Sequence, residues 1–208
     1  MAHVASVNVG PTRDVPWGTL KRSAIDKRPV DGSVAIGPLG LEGDDIADTV
    51  HHGGVDQAVY VYAAEDLQAW AEELGRELVP GQFGENLTTT GLDVQDSRLG
   101  ERWRVGTAVL EVCDVRIPCS VFQGFLDEPQ WVRRFVARGV PGAYLRVVEP
   151  GTVAAGDRVE VLERRPHDLT VAVAFRAQTM ERHLLPDLLA EPRISTKIRR
   201  RAQSRQRA

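Results

Sequence analysis

The segment Ala108-Val109-Leu110-Glu111-Val112-Cys113-Asp114-Val115, which runs directly into Arg116-Ile117-Pro118-Cys119, constrains this chain more than any other. Its valines and other apolar side chains favour a β-strand. Pro118 has no amide to donate and a fixed φ, so regular pairing should end at about Ile117. Cys119 then stands just past the end of a strand. A thiolate there is a strong nucleophile and a soft metal ligand, and Arg116 turned to the same side would favour that charged form. The alternative is a small buried hydrophobe, the usual state of a free cysteine. Cys113, inside the run, is expected in the core.

The rest of the sequence supplies short strands and few helices. Val7 and Val9 sit on alternate positions of a strand over residues 3–9, Val34-Ala35-Ile36 follows a Gly/Pro turn, and Ala58 to Tyr62 reads as a buried strand. Leu67, Trp70, Ala71, Leu74 and Leu78 recur at helical spacing, with Trp70 a core anchor. Asp127 is placed to cap a second helix carrying Trp131, Val132, Phe135 and Val136, which Gly139 ends. Strands follow over residues 143–148 and 158–162. Beyond Arg165 the pattern is helical in pieces, with Asp168 and Ser195 as candidate caps. Helices do not alternate regularly with strands, so a mainly β, α+β barrel or sandwich is predicted over residues 1–164. A small helical domain with a basic tail should follow over residues 165–208.

Two stretches suit a polar site. Gly43-Asp44-Asp45-Ile46-Ala47-Asp48 and His51-His52-Gly53-Gly54 bring carboxylates and imidazoles close to paired glycines, although a turn-rich surface loop has the same composition. Pro80 to Gly91 mixes glycines, an acid, an amide and hydroxyls, and its backbone amides are candidates to bind an anion.

A chain of 208 residues is large enough to bury a core without disulfide staples. Cys113 and Cys119 are its two cysteines, expected as free thiols, and no C-x-x-C or paired His/Cys spacing suggests zinc. No stretch approaches the roughly 20 apolar residues of a membrane span, and the start lacks a signal-peptide layout, so the expected location is cytoplasmic. The net charge of −3 is unevenly spread: residues 165–208 hold 10 Lys and Arg against 4 Asp and Glu, which leaves −9 on the body. A basic tail of this kind is a solvated end or a nucleic-acid contact. Nucleic acid is the weaker expectation, because no aromatic residue lies between Lys197 and Arg207 for base stacking.

Six motifs carry a family resemblance in one order: Lys27-x-Pro29-Val30-x-Gly32, Gly43-Asp44-x-x-Ala47-Asp48, His52-Gly53-Gly54-x-Asp56-x-Ala58-Val59-Tyr60, Phe83-Gly84-Glu85-Asn86-Leu87-Thr88, Arg116-x-Pro118-Cys119 and Gly151-x-Val153-x-Ala155-Gly156-Asp157. Over residues 1–162 the chain resembles the MOSC-domain family in its stand-alone bacterial form, and the trailing helices resemble the three-helix domain that follows the barrel there. The resemblance implies a MOSC β-barrel and a molybdenum cofactor, a molybdopterin, with Cys119 as catalytic residue and molybdenum ligand, or as persulfide carrier in sulfur transfer. It further implies cofactor contacts from Arg116, Lys27, His52, Gly84, Glu85 and Asn86, and reduction of N-hydroxylated small molecules, including toxic base analogues. The pyridoxal-phosphate half of larger cofactor sulfurases has no counterpart in this chain. Members often carry lysine two residues past the cysteine, where this chain has Val121. No G-x-G-x-x-G fingerprint for flavin or nicotinamide is present, so a reductase of this kind needs an external electron-donor protein. A homodimer is one assembly such a chain can adopt, and a non-catalytic binding module with a basic nucleic-acid-contacting tail is the alternative from another class.

Overall fold

The computed structural model describes residues 1–207. In chain order, its first half comprises β1 (His3–Val9), β2 (Arg13–Asp14), β3 (Arg22–Ser23), β4 (Arg28–Pro29), β5 (Val34–Gly37), β6 (Gly40–Leu41), β7 (Val59–Ala63), α1 (Ala64–Leu74) and β8 (Leu87–Thr90). The second half comprises β9 (Arg102–Val105), β10 (Ala108–Val115), α2 (Ser120–Leu126), α3 (Trp131–Arg138), β11 (Ala143–Glu149), β12 (Gly151–Val153), β13 (Val159–Glu163), α4 (Val171–Thr179), α5 (Leu185–Ala190) and α6 (Thr196–Arg207).

Eight strands form the main sheet in the order β13-β9-β10-β11-β7-β8-β1-β4. Neighbours are antiparallel except β7 and β8, which α1 joins as a parallel crossover. The fold is mainly β and α+β, as the sequence predicts, but the sheet is not a barrel closed by a continuous ladder. The start of β1 meets the segment that leads into the edge strand β13 through one bridge, His3 to Arg158, backed by Val4 N–H donating to Asp157 C=O at 2.8 Å and Val159 N–H to Ala2 C=O at 3.0 Å.

β10 is buried at all eight positions. Its lone acid in mid-strand, Glu111, is met by Arg102 at 2.9 Å, Arg193 at 3.4 Å and Arg146 at 3.5 Å, so no buried charge is left bare. The β10–β11 register shifts between Val112 and Asp114. Such a bulge takes a residue out of the ladder. Here the carbonyl of Cys113 accepts the Ser195 amide at 2.8 Å, which fastens the C-terminal segment to the central strand.

One apolar core runs through the molecule. Trp70, Phe83, Phe122, Trp131 and Phe135 pack as an aromatic cluster, and Phe175 of α4 joins it edge-on to Phe135 at 6.1 Å. Trp70 is thus the core anchor its spacing implies. The helix expected to carry Trp131 and Phe135 and to end at Gly139 is α3, but Asp127 does not cap it: Asp127 ends an additional helix, α2, in a left-handed conformation (φ 51°). Thr170, not Asp168, caps α4, through its hydroxyl and the Val173 amide. Leu78 lies beyond α1, which Gly75 terminates at φ 65°. Ser195 does cap α6, its Oγ accepting the Ile198 amide at 2.9 Å. Among the described residues no helix is long and apolar enough to cross a membrane.

Candidate functional site

A cavity of about 450 Å³ opens where β10 ends. Pro118 halts pairing, Cys119 follows in extended conformation (φ −134°, ψ 173°), and α2 begins at Ser120. Cys119 is partly exposed and lines the cavity together with Arg116, Lys27, His52, Gly84 and Asn86. Six of the seven candidate site residues are therefore brought together. Cys113 is buried, with its thiol against the Asp56 carbonyl at 3.2 Å, and burial pushes that thiol far above its ordinary range. It is a core residue.

The seventh, Glu85, is not on the wall. It is fully buried behind it, Oε1 accepting the Gly81 amide at 2.6 Å and the Thr88 hydroxyl at 2.9 Å, and Oε2 accepting the Phe83 amide at 3.0 Å. The amides of Gln82, Gly84 and Asn86 also have internal acceptors, Val79, Gly81 and Tyr60. This corrects the expectation that the loop's amides bind an anion, because a buried carboxylate and neighbouring carbonyls already use them. Glu85 shapes the loop, and burial raises its carboxyl above the usual range.

Asn86 and Lys27 reach the cavity with their polar ends largely engaged. Asn86 Oδ1 accepts the Tyr60 amide at 3.0 Å, and its Nδ2 donates to Asp44 Oδ2 at 2.8 Å. Lys27 Nζ is paired with Asp44 Oδ1, which also accepts the Gly10 amide. Burial pulls Lys27 below the ordinary lysine range, with the Asp44 charge opposing it. Burial, and then the charge of Arg116, lowers His52 to about 4, so its imidazole is neutral at neutral pH.

Arg116 is the principal cation of the cavity wall. It is 8% exposed, and its guanidinium lies over the rings of Phe122 at 4.3 Å and Tyr60 at 5.0 Å. Its buried Nε–H has no acceptor in the protein. Burial works against the charge, but Tyr144, Tyr60 and Cys119 around it more than offset that and hold Arg116 above its ordinary range. Gly84 sits beside it at φ +74°, where a Cβ would come within 3.0 Å of Ile25 and 3.6 Å of Arg116 Nη1.

Sequence reasoning missed Tyr144, whose hydroxyl burial raises, and Tyr60; both read simply as strand residues. It also missed Asp44 as a partner for Lys27, although the acidic loop and paired histidines signalled a polar site there, and Asp44, Asp48, His51 and His52 all line the cavity. Arg201 of α6 lines it too, with no sequence signal beyond the basic tail. Most of that tail is used internally: Lys197 Nζ bonds the carbonyls of His51 and Gly53 and the side chain of Gln57, while Arg199 and Arg205 donate to carbonyls of Leu189 and Thr179. Val121 is an apolar patch of the wall.

Among the described residues no group of three His, Cys, Asp or Glu side chains gathers as a metal cage. A metal here would take a single protein ligand, the Cys119 thiolate, and its other ligands from a cofactor.

Residues 48–160 match the MOSC domain. The chain is 36% identical over 174 residues to the uncharacterized protein YflK of Bacillus subtilis, which covers 83% of this chain and 79% of that one. A protein of Gibberella moniliformis named "Reductase" is 32% identical over 194 residues, 89% of this chain but 34% of the fungal one. Among solved structures, YiiM from Geobacillus stearothermophilus superposes with a TM-score of 0.82 at 28% identity, over 99% of each chain.

Proposed function

The chain belongs to the MOSC domain family, and from that premise we propose that it binds a molybdenum cofactor and reduces N-hydroxylated small molecules, with Cys119 as the molybdenum ligand. The observation that carries this reading is the pairing, on one cavity wall, of a thiol with a buried arginine that among the described residues has no carboxylate partner. The residues present fit the group. A lone thiolate would suit a metal whose remaining ligands come with the cofactor. A desolvated guanidinium suits an oxyanion such as a pterin phosphate. Gly84 leaves room beside that guanidinium.

Reduction of an N–OH group to N–H takes up two electrons and two protons and releases water; the cofactor, when bound, supplies the two-electron chemistry at the metal. The chain's own residues bind and orient. Cys119 Sγ holds the metal, and Arg116 holds the anionic group. Lys27, paired with an Asp44 that Asn86 also holds, keeps the wall in place. Tyr144, whose phenol stays protonated, offers an O–H donor beside Arg116, and neutral His52 presents an imidazole that neither repels nor neutralises the ligand. Electrons arrive from a separate donor protein in the cytoplasm. The fungal relative named Reductase supports the reaction class.

Metal analysis tests the reading. Protein made in a molybdopterin-competent host should carry molybdenum and pterin, and Cys119→Ser should carry neither in stable form. Wild type free of molybdenum overturns it. A lone thiol beside a cation and without a metal cage equally suits a persulfide anion. In that second reading the Cys119 thiolate takes a sulfane sulfur from a persulfide donor, whose own thiolate leaves; the intact mass rises by one sulfur on Cys119, and Cys119→Ser abolishes the rise.

A further inference from the structure

We infer that Arg201, on the C-terminal helix α6, is a binding residue of this cavity and takes an oxyanion of the ligand at the mouth, while Arg116 takes negative charge in the depth. This rests on reading the cavity as the site of an anionic, phosphate-bearing ligand. Arg116 is almost wholly buried and Arg201 is exposed, yet both line the same cavity, so cationic groups stand at its two levels.

The guanidinium of Arg201 is held from one side only. Its Nη1 donates to Gln178 Oε1 at 3.0 Å, and Gln178 is itself 2% exposed. A guanidinium has five N–H donors, so this single bond fixes its direction and leaves most donors free. Among the described residues no carboxylate lies within ion-pair distance of Arg201, and the acids of the mouth are occupied. Asp44 is paired with Lys27, Asp45 accepts the Thr12 amide, and Asp48 accepts from the His51 amide and ring.

The start of α6 is anchored to the body of the fold. Ser195 Oγ donates to Asp114 at 2.7 Å, and the Thr196 amide donates to Asp56 at 2.9 Å. Lys197 stands four residues before Arg201, hence on the same helix face, and its three bonds tie down the loop that carries His52. Lys197 is a positioning residue: its ammonium is spent on the protein. Arg201 is the neighbour left over for a ligand. Arg116 is the independent sign that a negatively charged partner belongs in this space: it lines the same cavity, is 8% exposed, and among the described residues has no carboxylate within ion-pair distance.

Isothermal titration of the full-length protein with inorganic pyrophosphate tests the inference. Arg201→Gln should weaken binding about tenfold or more, as loss of a charge-assisted hydrogen bond does, and Arg201→Lys should restore part of it. Arg116→Gln should weaken binding as well. Arg200→Gln removes the same charge from the neighbouring position, off the cavity wall, and should leave binding unchanged. Wild-type affinity in Arg201→Gln, an equal loss in Arg200→Gln, or no pyrophosphate binding by the wild type would each overturn it. Failure of this kind leaves Cys119-dependent molybdenum content intact. Failure of the molybdenum reading leaves Arg201-dependent pyrophosphate binding intact.

Discussion

Replacing Asp114 by asparagine should change the pH dependence of stability in a calculable way. Asp114 lies near the end of β10, is 1% exposed, and accepts from Ser195 Oγ at 2.7 Å, Gln57 Nε2 at 3.2 Å and the Val115 amide at 2.7 Å. Burial nevertheless dominates those hydrogen bonds and raises its carboxyl from 3.8 to about 6. The folded protein therefore binds this proton more tightly than the unfolded chain does. Stability from this group is present at low pH and is lost as pH rises through about 6. The gap between 3.8 and about 6 corresponds to about 3 kcal/mol at 1.36 kcal/mol for each tenfold change. Asparagine keeps the shape and a carbonyl acceptor but does not titrate. Urea denaturation of both proteins from about pH 4 to about pH 8 isolates the effect, since all other groups are shared. Asp114→Asn should gain about 3 kcal/mol on the wild type across that range. Arg201 draws the Asp114 carboxyl down, so Arg201→Gln should move the wild-type transition to still higher pH. Curves for wild type and Asp114→Asn that stay parallel, separated by a constant, would refute the reasoning.

Three further outcomes are expected. Gly81→Ala places a Cβ 2.5 Å from the Lys27 carbonyl at φ +87°, and thermal unfolding should show a loss of at least about 1 kcal/mol together with weaker pyrophosphate binding. Lys197→Met removes the bonds to His51, Gly53 and Gln57, so amide hydrogen exchange should speed up across residues 51–57 while β10 stays protected. His52 titrates at about 4, and its imidazole nitrogen shifts should stay flat between about pH 6 and about pH 8 in nitrogen-resolved NMR.

The sequence made local structure legible wherever one residue type forces the backbone. β1 spans residues 3–9 as its alternation predicts, and Pro118 does stop β10, two residues earlier than expected, at Val115. The thiol's position followed from that stop. Asp127 misled because a short polar side chain suits a helix start and a left-handed helix end equally well, and only packing chooses between them. Glu85 misled in a different way: the family resemblance made it a cofactor contact, yet its own loop's amides reach it first. The partnership of Lys27 with Asp44 and the arrival of Arg201 at the cavity depend on chain segments far apart in sequence, which no local pattern encodes. The meeting of β1 with the segment leading into β13, at His3 and Arg158, is of the same kind.

The bulge at Cys113 has a consequence for the order in which the protein comes into being. The carbonyl it frees and the Asp114 carboxylate beside it are both capped by Ser195, which leaves the ribosome 81 residues after Asp114. Synthesis runs from the N-terminus, so the strand that delivers Cys119 emerges long before the segment that completes its surroundings. Until then Asp114 lacks its serine, the His52 loop lacks Lys197, and one wall lacks Arg201. The pocket is thus finished only after α6 has emerged, well after the strand that delivers its thiol.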